Sequence, residues 1–175
     1  MPSFRQGRMV IQHGDLTALA VDALVSPSSS ALAPGADPAS HAIHATAGPE
    51  LAAACVALAG GLPGQARCTP GFLLPAPWVV HVVTPRWQGG GQGEERLLEA
   101  CYENSLAVAF GEGATTIALP PLGMADGFPP EQAARVGIST TLDFLENHPS
   151  LEQVFFCCAR TEDLDVLLSV ADEYL

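Results

Sequence analysis

The 175-residue chain carries 19 acidic and seven basic residues, all seven of them arginine, for a formal net charge of −12. That balance argues against a nucleic-acid partner, which needs clustered Lys and Arg, and the absence of lysine excludes a lysyl Schiff base or a Walker-type phosphate lysine. With 48% hydrophobic and 15% charged residues the composition is globular, and the length suits one domain, 1–175, with its own core. No apolar run reaches the length of a membrane span. The opening Met-Pro-Ser-Phe-Arg-Gln lacks the apolar stretch of a signal peptide. A cytoplasmic protein without membrane contact is the expectation, and the acidic surface is read as an aid to solubility.

In chain order, apolar runs over Arg8–Gln12 and Ala23–Ser26 flank Gly14-Asp15-Leu16-Thr17. The pattern predicts two buried strands joined by a tight polar turn. Asp37-Pro38 sets a capping side chain before a proline at the first helical position. The helix they open runs through His41, Ile43 and His44 to Gly48. Pro49 starts a second helix, with Leu51, Cys55 and Leu58 on one face and Gly60-Gly61 as terminator. Gly64–Leu74 is rich in turn formers, with a short apolar segment from Gly71. Trp78–Thr84 is nearly all β-branched, the mark of a central strand covered on both faces. Pro85 ends it, and Gln88–Gly93 forms a glycine-rich surface loop.

Over Glu94–Phe110, Leu98, Cys101, Tyr102, Ser105, Leu106, Ala109 and Phe110 recur at helical spacing. Thr115–Leu119 predicts a strand that runs into the loop Pro120–Phe128. Pro129-Pro130-Glu131 opens a long helix to about Asn147, Gln153–Ala159 is the last strand, and Thr161 caps a final helix ending near Tyr174. Strands and helices alternate, so the expected fold is α/β, three-layered, with helices on both faces of a mixed, mostly parallel sheet. Ligand chemistry then belongs beyond the carboxyl ends of the strands.

The five cysteines, Cys55, Cys68, Cys101, Cys157 and Cys158, show no Cys-x-x-Cys spacing and fall in apolar segments. They read as small buried hydrophobes in a reducing compartment. The histidines are not spaced in the sequence to complete a zinc site with them, so no metal and no cofactor is expected. His81, in mid-strand, reads as a hydrogen-bonded core histidine, and His44 similarly.

The order and spacing of several short motifs resemble the macrodomain family, the modules that recognise ADP-ribose. The matching residues are Gly14-Asp15-Leu16-Thr17, Val21-Asp22-Ala23-Leu24-Val25, Ala42-Ile43-His44 with Ala47-Gly48, Thr69-Pro70-Gly71-Phe72, Val80-His81, Cys101–Leu106 and the loop Leu119–Gly127. The resemblance covers about Arg8 to Tyr174. It implies a cleft in which the aspartate matching Asp15, next to Leu16, accepts a hydrogen bond from the adenine amino group; the alternative is an aspartate that closes its own turn. Asp22 fits the pattern too, with a structural role. The resemblance further implies that Leu122, Gly123, Met124, Ala125, Asp126, Gly127 and Phe128 wrap the diphosphate through main-chain N–H groups, with glycine where positive φ is needed. Ala125 stands where the family has a flexible step, and forcing alanine to positive φ costs about 1–2 kcal/mol. Phe128 is expected against the ribose or in the core.

The pattern breaks after the second strand. Hydrolytic members of the family carry Asn-Ala-Ala-Asn, then a glycine run and an aspartate that orients the attacking water or ribose hydroxyl. Here the first segment reads Ser26-Pro27-Ser28-Ser29, Gly35 is what remains of the glycines, and Ser40 stands nearest the catalytic aspartate; Ser26, Ser29 and Gly35 are the expected ligand contacts of this segment. Serine cannot present an amide's donor and acceptor together, and general acid–base help contributes roughly 10²–10⁴-fold. Asp37, His41, which faces the predicted cleft, and Asp126 are the remaining candidates for catalysis beside Ser40. The reading is a binder of ADP-ribose, or a related adenine nucleotide, free or on an ADP-ribosylated protein, with weak or absent hydrolysis. The alternatives are an ADP-ribosyl hydrolase or O-acetyl-ADP-ribose deacetylase using substitute acidic residues, and an interaction module with an occluded cleft. A monomer is expected, and long poly(ADP-ribose) is disfavoured by charge repulsion.

Overall fold

The computed structural model describes residues 3–174. Seven strands form one sheet: β1 (Ser3–Phe4), β2 (Met9–His13), β3 (Ala23–Ser28), β4 (Ala66–Pro70), β5 (Trp78–Val83), β6 (Thr116–Leu119) and β7 (Gln153–Cys158). Their spatial order is β1-β2-β7-β6-β3-β5-β4. The four inner pairings, from β2–β7 to β3–β5, are parallel, and β1 and β4 run antiparallel along the two edges. The helices are α1 (Pro38–Ala47), α2 (Pro49–Ala57), α3 (Glu94–Gly111), α4 (Pro130–Asn147) and α5 (Thr161–Ala171).

Alternation along the strands sorts the apolar residues into two layers. Met9, Ile11, Val80, Val82, Ile117, Val154 and Phe156 pack with Leu98, Leu106, Ile138, Leu145 and Leu167 of α3, α4 and α5. On the other face Leu24, Val79, Val83 and Ala118 pack with Ile43, Leu51 and Cys55 of α1 and α2, and with Leu16. The expected three-layer α/β architecture with a mixed, mostly parallel sheet is the one observed. No helix among the described residues is long and apolar enough to cross a membrane.

Several local expectations are corrected. β2 and β3 are not neighbours joined by a tight turn; β7 and β6 lie between them, and a short 3-10 turn at Leu16–Ala18 begins the crossover. β3 continues past Ser26 through Pro27 to Ser28. Ser28 turns its carbonyl to β5, where it accepts from Thr84 N–H, so the Pro27 nitrogen faces the β6 side. Pairing there has already ended at Leu24, and the missing donor costs nothing. β4 occupies part of the segment read as turns, because as a half-exposed edge strand, Ala-Arg-Cys-Thr-Pro, it lacks a continuous apolar signature. β1 is a two-residue strand that the pattern did not announce. Thr161 is the first residue of α5 rather than its cap; Arg160 holds the cap position and makes no side-chain cap bond. At α1 the expectation holds: Asp37 Oδ1 accepts from Ala39 N at 2.9 Å, with Pro38 first in the helix.

Candidate functional site

Beyond the carboxyl ends of β2, β6 and β7, the start of α1 and the start of α5 enclose a cavity of about 380 Å³. That volume lies within the range of small-molecule sites. Asp15, Leu16, Asp37, Met124 and Ala125 line it, as does a set not expected from the sequence as site residues: Thr17, Pro38, Ala42, Pro121, Cys157, Ala159, Arg160 and Asp163. The signal for that set was positional only. Cys157, Ala159 and Arg160 follow the last parallel strand just as Gly14 and Asp15 follow the first.

Asp15 caps the 3-10 turn after β2. Its Oδ1 accepts from both Thr17 N at 2.9 Å and Thr17 Oγ1 at 2.7 Å. The turn-closing role is therefore real, and because both bonds fall on one oxygen, the carboxylate plane is held with Oδ2 left for a ligand. Asp22 is structural: its Oδ2 accepts from Thr115 N, Thr115 Oγ1 and Thr116 N, tying β3 to β6. The Thr115 N–H first among these bonds holds its carboxyl below the usual range.

Asp37 lies at the mouth of α1 with its carboxyl pushed up from the ordinary value. Burial is the main cause, opposed by the Ala39 N–H and reinforced by the charges of Asp126 and Asp163. Asp126 is also pushed up by burial, against a Thr84 hydrogen bond and the Arg86 guanidinium. Burial thus disfavours the charged form of Asp37 at the cleft and of Asp126 behind it.

The loop after β6 is held from behind. Tyr102 Oη, fully buried, accepts from Leu122 N at 2.8 Å, and Trp87 N donates to Asp126 O at 3.0 Å. Gly123 (φ 91°) and Gly127 (φ 87°) take the left-handed positions at the two ends of a 3-10 turn over Met124–Asp126. Ala125 is not at positive φ, so the strain anticipated for an alanine there does not arise. Met124 and Ala125 face the cavity, whereas Leu122, Gly123, Asp126, Gly127 and Phe128 do not line it. Leu122 has given its N–H to Tyr102, and Phe128 is buried with its ring 5.1 Å from that of Trp87. Of the two expectations for Phe128, core packing is the outcome.

The divergent segment folds back on itself. Ser29 N and Ser29 Oγ both donate to Ala33 O, and Pro34 bridges to Ser28. A side chain at Gly35 would meet Pro27 O at 3.2 Å, so the loop lies tight against β3. Ser40 is fully buried; its hydroxyl donates to Asp37 O at 2.8 Å and accepts from Gly35 N at 3.0 Å. His41 is exposed, with Nε2 3.0 Å from Gly35 O. None of Ser26, Ser29, Gly35, Ser40 and His41 lines the cavity, so the candidate site gathers the Asp15 side, Asp37 and the Met124-Ala125 turn, without this segment.

The histidine expectations divide. His81 is a core histidine bonded to Thr69 Oγ1 at 2.9 Å. His44 Nε2, by contrast, is buried with no hydrogen-bond partner among the described residues. The argument that sequence spacing keeps histidine and cysteine apart fails in three dimensions, because α1, α2 and β5 bring donor atoms of His44, Cys55 and His81 within 4.8 Å of one another.

A mostly parallel sheet between two helical layers, with a cleft at the strand ends, defines an α/β ligand-binding module. The family described as Macro domain matches residues 26–137. A macro domain-containing protein of Chlorobaculum tepidum is 44% identical over 153 residues, covering 87% of this chain and 88% of that one. An O-acetyl-ADP-ribose deacetylase of Citrobacter koseri is 39% identical over 162 residues, covering 90% and 91%. Among solved structures, the Trypanosoma brucei macrodomain in complex with ADP-ribose superimposes with a TM-score of 0.85 at 28% identity, covering 94% of this chain and 69% of that one. The chain belongs to the macro domain family.

Proposed function

We propose that the protein binds ADP-ribose, or a related adenine nucleotide, in the cleft between β2, β6, β7 and α1, and that hydrolysis is weak or absent. The observation that carries the reading is the cavity itself, which has a pre-set carboxylate, Asp15, at one wall and the Met124-Ala125 turn at another. Asp15 Oδ2 accepts from the adenine amino group, Leu16 packs beside the base, and main-chain N–H groups of the turn hold the diphosphate, as suits a lysine-free protein. The solved relative with ADP-ribose bound supports the ligand class. The physiological form is free ADP-ribose or an ADP-ribosylated protein, taken by one domain, 1–175, acting as a monomer in the cytoplasm.

Weak catalysis follows from the engagement of the candidate groups. Ser40 has spent its hydroxyl on two backbone partners, and His41 Nε2 is against a carbonyl. Calorimetry with ADP-ribose, and incubation with mono-ADP-ribosylated protein and O-acetyl-ADP-ribose, test the two halves. Binding with little turnover is expected; no heat even at millimolar ligand refutes the first half and favours an interaction module.

The hydrolase reading keeps one specific support. A carboxyl held above its ordinary pKa at the edge of a cleft suits a general acid or base, and Asp37 is such a group. Relatives named O-acetyl-ADP-ribose deacetylase add to it. Turnover abolished by Asp37→Ala or Asp126→Ala would overturn the non-catalytic half.

A further inference from the structure

We propose that His44, Cys55 and His81 form a zinc-binding site under α1 and α2, on the face of β5 away from α3. Each contributes one donor atom, from α1, α2 and β5 respectively, and these atoms lie within 4.8 Å of one another. Two imidazoles and a thiolate are a borderline-soft set that suits zinc and other late divalent ions rather than magnesium or calcium. Tetrahedral zinc, with Zn–N about 2.0–2.1 Å and Zn–S about 2.3 Å, sets neighbouring N and S donors about 3.5 Å apart. Cys55 Sγ lies 3.6 Å from each of the two His81 ring nitrogens, so binding requires the thiol to swing toward the Nδ1 side. The wider separations, up to 4.8 Å, require the half-buried His44 ring to turn toward the other two donors.

The tautomer of His81 is already arranged for this use. Thr69 Oγ1 spends its own proton on Pro70 O at 3.1 Å, so in its 2.9 Å bond with His81 it accepts, and Nε2 carries the hydrogen. Nδ1 is then the lone-pair donor, with Thr69 fixing the ring from behind in the manner of an outer-shell partner. Independent support comes from two orphaned polar atoms. His44 Nε2 is buried with no hydrogen-bond partner among the described residues, and so is Ser26 Oγ. Ser26 stands directly beside His81 in the parallel ladder between β3 and β5 and shares its face of the sheet. Buried polar groups without partners are rare because each forgoes its water at a cost, and an ion with a solvent ligand facing Ser26 would satisfy both.

The test uses the full chain, freed of metal and titrated with cobalt(II) and then zinc. The expected result is one equivalent of cobalt showing tetrahedral visible bands and a thiolate charge-transfer band, both erased by zinc. Cys55→Ser should abolish the charge-transfer band, Cys68→Ser should leave it, and Thr69→Val should weaken binding about 10- to 100-fold. Zinc should also raise the thermal midpoint of the wild-type protein and leave that of Cys55→Ser unmoved. Should Cys55→Ser not fold, His44→Gln carries the same comparison from a half-buried position, with an expected loss of affinity of at least about tenfold. No cobalt spectrum in the wild type, or a charge-transfer band that survives both variants, overturns the proposal.

Discussion

Asp15→Asn separates the turn closure that this carboxylate makes from the adenine contact proposed for it. In the native turn Oδ1 accepts from Thr17 N and Thr17 Oγ1, and asparagine caps as well as aspartate. Its amide must keep oxygen toward Thr17, which puts the Nδ2 donor where Oδ2 stood. An adenine amino group then meets a donor instead of an acceptor. A hydrogen bond to a charged acceptor is worth about 1.5–3 kcal/mol. Asp15 is exposed at the cleft wall, so the lower part of that range applies, about 1.5–2 kcal/mol, or roughly 10- to 30-fold in Kd. Asp15→Ala should lose the same affinity and, in addition, about 1 kcal/mol of stability with the cap. Calorimetry with ADP-ribose and thermal unfolding read the two effects apart. The hypoxanthine analogue of ADP-ribose, whose C6 oxygen accepts where the amino group donates, should reverse the preference and bind Asp15→Asn more tightly than wild type. If Asp15→Asn binds ADP-ribose as tightly as wild type, the adenine contact is refuted and the carboxylate is a turn device alone.

Four further substitutions probe the surroundings of the cleft. Asp37 has a raised folded pKa, so its contribution favours the fold below the unfolded value of 3.8 and is lost as pH rises through the folded pKa; Asp37→Asn, which keeps the cap, should be neutral to stabilising at pH 7, and a clear drop in thermal midpoint there would refute this. Glu94 is the opposite case: its carboxylate accepts from the N–H groups of Gln88, Gly90 and Gln92, which bring its pKa down to about 2. Glu94→Gln should therefore lower stability at neutral pH, with the deficit shrinking below pH 4.5 and vanishing near pH 2 in acid-unfolding curves. A Cβ at Gly137 would sit 2.6 Å from Tyr102 Oη, so Gly137→Ala should cost about 1–3 kcal/mol by overpacking; Tyr102→Phe, which orphans the Leu122 N–H, should cost about 1–3 kcal/mol. Both should weaken ADP-ribose binding through the loop, as denaturant titration and calorimetry would show together.

What the sequence disclosed and what it withheld follow from the range of the forces involved. The Trp78–Val83 strand and the Asp37-Pro38 helix start were legible because both depend on neighbours within a few residues. Sheet order was not, since nothing near Val10 or Ala23 says that β7 and β6 will come between them. The same limit governed the site. Asp15 could be named from its turn, but Cys157, Arg160 and Asp163 reach the cleft only because β7 pairs beside β2. Phe128 illustrates the converse, a residue in a ligand loop whose ring is drawn to Trp87 by packing that no spacing rule encodes. The His44, Cys55 and His81 cluster is the extreme case, joining two helices and a strand from three separate segments.

The segment that departs most from the family pattern also explains why binding and catalysis can part company. A glycine-rich arm lying open beside the distal sugar would need its backbone donors free for the ligand. Here the donors are spent internally: Gly35 N goes to Ser40, Ser29 N to Ala33 O, and Gly61 N to Ser30 O. Ser40 is the keystone, because its one hydroxyl joins Gly35 to Asp37 while remaining wholly buried. A carboxylate in its place would accept from Gly35 N but has no proton to give Asp37 O, so the closed turn would lose that bond. The serine thus holds both ends of the closed turn, and on the proposed reading the chemistry attributed to that position is lost with the exchange. The Asp15 wall and the Met124-Ala125 turn, built on other strands, are untouched by the exchange. On the proposed reading, binding rests where the sheet positions the donors, and turnover is weak where the loop has consumed its own.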